Sequence, residues 1–239
     1  METTIPRGTV SLRATVVTAK NATACVLFLS GGGLTVGRER FREWQDALAR
    51  TGISSVSFDY SGVQGSGTSL ENSSLESRIA EAVAVTDWMA ENVPASRYVL
   101  YGVSMGGYIA LGLTKERKDF FDALILHAPA AYAPTAHALH FGNDFTSEIR
   151  KEHSWEDSLS FGWLQAYTHP VLLIEAEHDE VIPHLIIEKY KNSKQDGKLT
   201  VFHLKKIPHA IWGDSVLEKK ARSDIYQALE HFVQNISSC

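Results

Sequence analysis

The apolar pattern of this chain changes period again and again, and that alternation limits what it can fold into. Val10, Leu12, Ala14 and Val16 alternate with more polar neighbours, which predicts a half-exposed strand over residues 9–17. Ala24–Leu29 is continuously apolar, as expected of a strand covered on both faces. Phe41, Trp44 and Leu48 fall at helical spacing and stop at Thr51-Gly52. Ile53–Phe58 reads as a strand, and Leu75, Ile79, Val83, Thr86 and Ala90 mark one face of a helix that ends before Pro94. Further strands are predicted at Tyr98–Val103, 123–126, 171–174 and 199–204. Helices are predicted at 105–114 and 185–190, and a last amphipathic one carries Leu217, Ala221, Ile225, Leu229, Phe232 and Ile236.

Strands that alternate with helices build βα units. The expected class is therefore α/β: a mainly parallel central sheet of about seven or eight strands with helices on both faces. Ligands bind such sheets at the carboxyl ends of the strands. One segment breaks the rhythm. Residues 129–169 hold no strand pattern but many aromatics, among them Tyr132, Phe141, Phe145, Trp155, Phe161 and Trp163. A plain connection is shorter. The expectation is a small insertion over the top of the sheet, with two or three short helices and its own aromatic core, inside a single domain spanning 1–239.

Composition excludes several classes of partner. The net charge of −5 is spread without long blocks of one sign, which speaks against nucleic acid. No apolar run is long enough to span a bilayer, so stable membrane insertion is not expected. The start, METTIPRGTV, lacks the apolar core of a leader. Cys25 sits in an apolar run and Cys239 is the last residue, expected to be mobile, so no disulfide framework is expected. These features predict a cytoplasmic protein. The choice between monomer and homodimer stays open.

Gly102-Val-Ser-Met-Gly106 places one serine between glycines, where a predicted strand turns into a predicted helix. The pattern fits G-x-S-x-G, the nucleophile elbow. Small residues two before and two after the serine let strand and helix approach while the serine is held strained and exposed. A serine hydroxyl needs a base, and the base needs a partner that fixes its tautomer. Asp179 lies in the loop after strand 171–174 and His209 in the loop after strand 199–204, on the same sheet edge as Ser104. Glu177, Glu180 and Asp214 compete for the acid, and His203 and His178 for the base. Ser104, Asp179 and His209 make the preferred triad. An oxyanion hole needs two backbone N–H groups. Met105 supplies one, and Ser30-Gly-Gly-Gly-Leu34 the other, with Gly32 preferred and Gly31 or Gly33 as alternatives.

Substrate contacts are expected from the same loops: Gly31, Gly33 and Leu34, then Val181 and Ile182 after the acid, and Ala210 after the base. His127, at the end of strand 123–126, is a further candidate. Its competing and favoured reading is a core-edge histidine. His137 and His140 have helical i, i+3 spacing, but no further ligand set accompanies them, so they read as insertion surface. Gly62-Val-Gln-Gly65-Ser-Gly67 lacks both the dinucleotide order and a Walker lysine, and reads as a loop beside the pocket. The chemistry requires no metal and no cofactor.

The stretches LFLSGGG, FDYSGVQGSGTS, GVSMGG, EAEHDEVIP and IPHAI together resemble the α/β-hydrolase superfamily over essentially the whole chain. The insertion resembles the small lids of acyl esterases, monoacylglycerol lipases and cinnamoyl or feruloyl esterases. The resemblance implies a serine hydrolase acting on a small-molecule ester or thioester. The usual His-Gly of the oxyanion loop is Ser30-Gly31 here, and the glycine common just before the acid is absent. The N-terminal part of the sheet is short, with the first family strand expected to be missing or degenerate. Two other readings remain open: a thioesterase or acyltransferase with the same triad, and a ligand receptor on the same fold.

Overall fold

The computed structural model describes residues 1–33, 35–63, 66 and 68–236, so the expectations for Leu34, Gly65, Gly67 and Cys239 fall outside it. Eight strands form one sheet: β1 (Glu2–Arg7), β2 (Val10–Val17), β3 (Ala24–Leu29), β4 (Ile53–Phe58), β5 (Tyr98–Val103), β6 (Ala123–His127), β7 (Val171–His178) and β8 (Leu199–Pro208), in the order β1-β2-β4-β3-β5-β6-β7-β8. The first two are antiparallel additions, and β3 to β8 run parallel. The helices are α1 (Arg42–Arg50), α2 (Leu75–Asn92), α3 (Met105–Glu116), α4 (Asn143–Ile149), α5 (Leu159–Ala166), α6 (His184–Ser193) and α7 (Val216–Gln234).

The continuous apolar strands follow from burial on both sides. Cys25, Leu27 and Leu29 of β3 face a core built with α2, α3 and α6, while Ala24, Val26 and Phe28 face one built with α1 and α7. Side chains alternate across a strand, so each face needs its own apolar set. Ser215 and Glu218 form a reciprocal capping box that starts α7. Residues of the 129–169 segment, among them Phe141, Phe145, Phe161 and Leu164, join the first core, and the Phe141 and Phe145 rings meet edge-on at 4.8 Å.

Two features depart from expectation. The first strand is present: β1 pairs along its length with β2. It is hard to read because it is an edge strand with Ile5 its one buried residue and a proline beside it. Strands β7 and β8 also run further than their apolar cores. Their polar ends pair beyond Ala176–Leu204 through a bulge, with Lys206 at φ 59° and its N–H donated to Glu177 at 2.7 Å. Bulges re-aim the chain at a sheet rim, and these two ends lead directly into the loops of Asp179 and His209.

Candidate active site

The sheet order reverses around β3 and β5, where the chain goes to β4 on one side and to β5 on the other. This is the crevice where open parallel sheets bind ligands. The turn from β5 into α3 lies there, and its geometry requires glycine. A Cβ on Gly102 would stand 2.3 Å from the Gly106 carbonyl oxygen, and one on Gly106 would stand 2.3 Å from that of Leu29. Between them Ser104 takes φ 54°, ψ −120°. That backbone costs about 1–3 kcal/mol for a non-glycine residue. Its neighbours hold it there: the Ser104 N–H donates to the His127 carbonyl at 2.9 Å, and the Ser104 carbonyl accepts from Gly107 at 2.9 Å and Ala130 at 3.0 Å.

The Ser104 hydroxyl lies 3.2 Å from His209 Nε2, and His209 Nδ1 lies 2.8 Å from Asp179 Oδ2. The other Asp179 oxygen accepts from the N–H groups of Val181 at 2.9 Å and Ile182 at 2.7 Å. Burial pushes the Asp179 carboxyl up, but the His209 hydrogen bond and the Ile182 and Val181 N–H groups outweigh it and hold it below its usual value. An ionised carboxylate only accepts. The Nδ1 of His209 therefore carries the proton, and Nε2 is left to accept from Ser104.

Of the competitors, His203 bonds Glu175 at 3.1 Å, His178 is exposed, Glu177 holds Lys206, and Glu180 accepts the His209 backbone N–H at 3.2 Å. Asp214 faces solvent. His137 Nδ1 lies 3.0 Å from the Tyr108 hydroxyl.

The glycine loop after β3 approaches the same point. A Cβ on Gly31 would meet the Ser104 Cβ at 3.4 Å, and one on Gly32 would meet the Met105 Cε at 3.1 Å. The first N–H groups of any helix lack intrahelical acceptors, and the Ser104 side chain makes no capping bond to α3, so the start of that helix suits developing negative charge. Ser30 is buried, with no hydrogen-bond partner for its hydroxyl among the described residues.

A cavity of about 800 Å³ opens beside Met105, with Gly33, Val63, Leu70, Arg78 and Phe141 among its lining. Of the expected substrate contacts, Gly33 lines it and Gly31 touches the serine. None of the other described ones lines this cavity. Val181 and Ile182 turn their N–H groups to Asp179, and Ala210 is exposed beyond His209. His127 is inside the sheet, 1% exposed, with Nδ1 2.7 Å from the Tyr101 hydroxyl. Burial first, then the nearby His209, pushes its imidazole down to about 3, against a smaller upward pull from Asp179. Arg78 escaped the sequence reading, which placed Phe141 only among the aromatics of the insertion. A signal for Arg78 exists, since it stands one turn from Leu75 and Ala82 on the apolar stripe of α2.

Comparison with known proteins agrees with this fold. The family model described as serine aminopeptidase, S33 (Hydrolase_4) matches residues 20–155. Among curated proteins no sequence matches. Among solved structures, the ferulic acid complex of Est1E from Butyrivibrio proteoclasticus superposes with a TM-score of 0.76 at 19% identity, covering 97% of this chain and 98% of that one. A CIB-like hydrolase from Thermoplasma acidophilum gives 0.71 at 19% identity over 98% of each chain. The monoacylglycerol lipase of Paleococcus ferrophilus gives 0.69 at 16% identity, over 92% of this chain and 98% of that one. These likenesses show the α/β-hydrolase fold. No described helix is long and apolar enough to cross a membrane. The family match covers more than half of the 239 residues, and on that ground the chain belongs to the serine aminopeptidase S33 family of α/β-hydrolases.

Proposed function

We propose that this hydrolase is a carboxylesterase that works through Ser104, His209 and Asp179 and an acyl-enzyme. The observation that carries the reading is the hydrogen-bonded series from Ser104 through His209 to Asp179, joined at the carboxyl edge of the sheet with the serine in a strained elbow. In the first half-reaction Ser104 Oγ bonds to the ester carbonyl carbon while its proton passes to His209 Nε2. The N–H groups of Gly32 and Met105 hold the oxygen that becomes negative, and each such donor is worth about 3–4 kcal/mol of barrier. The bond to the alcohol oxygen then breaks, and that oxygen takes the proton from His209. In the second half-reaction water gives its proton to His209 and attacks the acyl carbon. The bond to Ser104 breaks, the proton returns to Oγ, and the acid leaves. Asp179 keeps the ring oriented and supports its charge throughout.

The cavity beside Met105, with its apolar walls, suits a small or medium apolar acyl or aryl group. On this reading the chain is one catalytic domain and residues 129–169 form its lid, a reading supported by Phe141 and Phe145, which line that cavity.

The test is labelling of the whole protein with a fluorophosphonate, followed by intact mass and peptide mapping, with Ser104→Ala as control. One adduct, located at Ser104 and absent from the variant, is the expected result. Folded protein that takes no label, or takes it elsewhere, overturns the reading.

A further inference from the structure

The cavity beside Met105 contains a buried cation with almost nothing to bind. Arg78 is on α2 among Leu75, Ile79 and Ala82, and its side chain is 0% exposed. Arginine is among the residues least often buried unless paired. The rings of Tyr60 and Phe141 each lie 4.7 Å from its guanidinium carbon. Such contacts favour the charge but satisfy none of the in-plane N–H donors. Nη1 donates to the Met105 Sδ at 3.1 Å, a weak acceptor. Nε and Nη2 have no hydrogen-bond partner among the described residues. Glu81 acts on Arg78 only through space, and its Oε2 accepts the Ser61 N–H at 3.0 Å. Burial lowers the affinity of Arg78 for its proton, yet a guanidinium stays charged.

The two free donors have a shape. Nε and Nη2 form one edge of the planar guanidinium, and their parallel N–H bonds match the two oxygens of a single carboxylate. Their location has a direction. Met105 directly follows Ser104, its Cε and Sδ would stand 3.1 and 3.6 Å from a Cβ on Gly32, and Arg78 Nη1 donates to that same sulfur at 3.1 Å. An acyl group whose carbonyl sits at Ser104 therefore runs along Met105 toward Arg78. The thioether is flexible enough to yield its place to that chain. Glu71 at the cavity mouth is exposed, where water screens it.

We infer that Arg78 receives a carboxylate at the far end of the acyl group, so that the preferred substrates are half-esters of dicarboxylic acids with an apolar spacer. This rests on the esterase reading of Ser104. A buried fork left without an anion rejects an uncharged end, because filling the cavity would leave its donors dry and unpaired.

The experiment compares monomethyl esters of succinic, glutaric, adipic and pimelic acids with methyl esters of uncharged acids of matched length, by proton release. The wild-type protein is expected to favour the charged ester by about 10- to 100-fold in kcat/KM at its best spacer length. Arg78→Met is expected to lose that preference, and Arg78→Lys to keep part of it, as a point charge without the fork. Inhibition by glutarate or adipate against the matched monocarboxylate tests the same contact in unaltered protein, should Arg78→Met not fold. Protein that labels at Ser104 and cleaves neutral esters, yet shows a charged-to-neutral ratio near one and equal inhibition, overturns the inference alone. So does a preference that survives in folded Arg78→Met. Failure to label Ser104 overturns the esterase reading first, and the inference with it.

Discussion

Ser104 and His209 are 105 residues apart in the chain, yet the serine hydroxyl lies 3.2 Å from the imidazole Nε2. The parallel sheet produces this contact. β5 and β8 point the same way, so the loops that leave them open on one edge, and the bulge at the end of β8 turns His209 back over the elbow. On the proposed mechanism, a base held at hydrogen-bond distance from a strained serine acts with it as one unit.

That unity has a kinetic consequence. Ser104→Ala and His209→Ala are each expected to lower kcat on an ester by about 10⁴- to 10⁶-fold, and the double variant by no more than the worse of the two. Steady-state and single-turnover rates on the three proteins check this. Losses that multiply would mean that the two groups serve separate steps.

Asp179 makes a different demand, on the tautomer. In Asp179→Asn the carbonyl oxygen can still accept from Val181 and Ile182, which leaves the amide NH₂ facing His209 Nδ1. The ring then has to accept at Nδ1 and carry its proton at Nε2, where it can no longer receive one from Ser104. The expected loss is about 10⁴-fold in kcat, with the circular dichroism spectrum unchanged. A loss below about tenfold would remove Asp179 from the triad and send the search to Glu180.

Much of this arrangement is legible in the residues themselves. β3 and β5 declare themselves because burial on both faces forces a run without polar interruption, and Gly102 and Gly106 because contacts at 2.3 Å leave no room for a methyl. The illegible parts have physical reasons as well. β1 buries one side chain, Ile5, so it carries no pattern. The ends of β7 and β8 are polar because they pair beyond the cover of the helices. The cavity is harder still. It exists only where α2, Met105 and the Phe141–Phe145 stretch meet, and no local pattern encodes a meeting of distant segments.

The elbow glycines predict a structural failure rather than a catalytic one. A Cβ at Gly106 points at the carbonyl oxygens of Leu29 and Ser30, at 2.3 and 2.6 Å, and backbone cannot step aside as a side-chain tip can. Gly106→Ala should therefore cost at least about 1–3 kcal/mol of stability, the usual range for forcing extra volume into a packed interior. A chemical denaturation curve measures it. Gly142→Ala, where a Cβ meets nothing within 4 Å, is the control and should leave the midpoint close to that of the wild type. Equal midpoints for the two variants would mean that α3 and β3 can separate without cost.

His127 gives the last prediction, on pH. Its ring is enclosed by the sheet, bonded to the Tyr101 hydroxyl, and held neutral by burial and by the nearby His209, with its proton affinity down at about 3. In the unfolded chain a histidine binds its proton near 6.5. Between those two values the unfolded state carries a proton that the folded state refuses. The stabilising contribution is thus complete above about 6.5 and is lost as pH falls toward 3, at about 1.4 kcal/mol per pH unit for one proton. His127→Gln keeps a polar group able to meet Tyr101 but cannot titrate. The stability difference between wild type and variant, taken from denaturant unfolding at pH 4, 5, 6 and 7, should therefore shift against the wild type as pH drops, with that slope below 6. A difference that stays constant over this range would mean that His127 takes up its proton inside the folded protein, and that the core beside the triad admits water or an anion to accompany it.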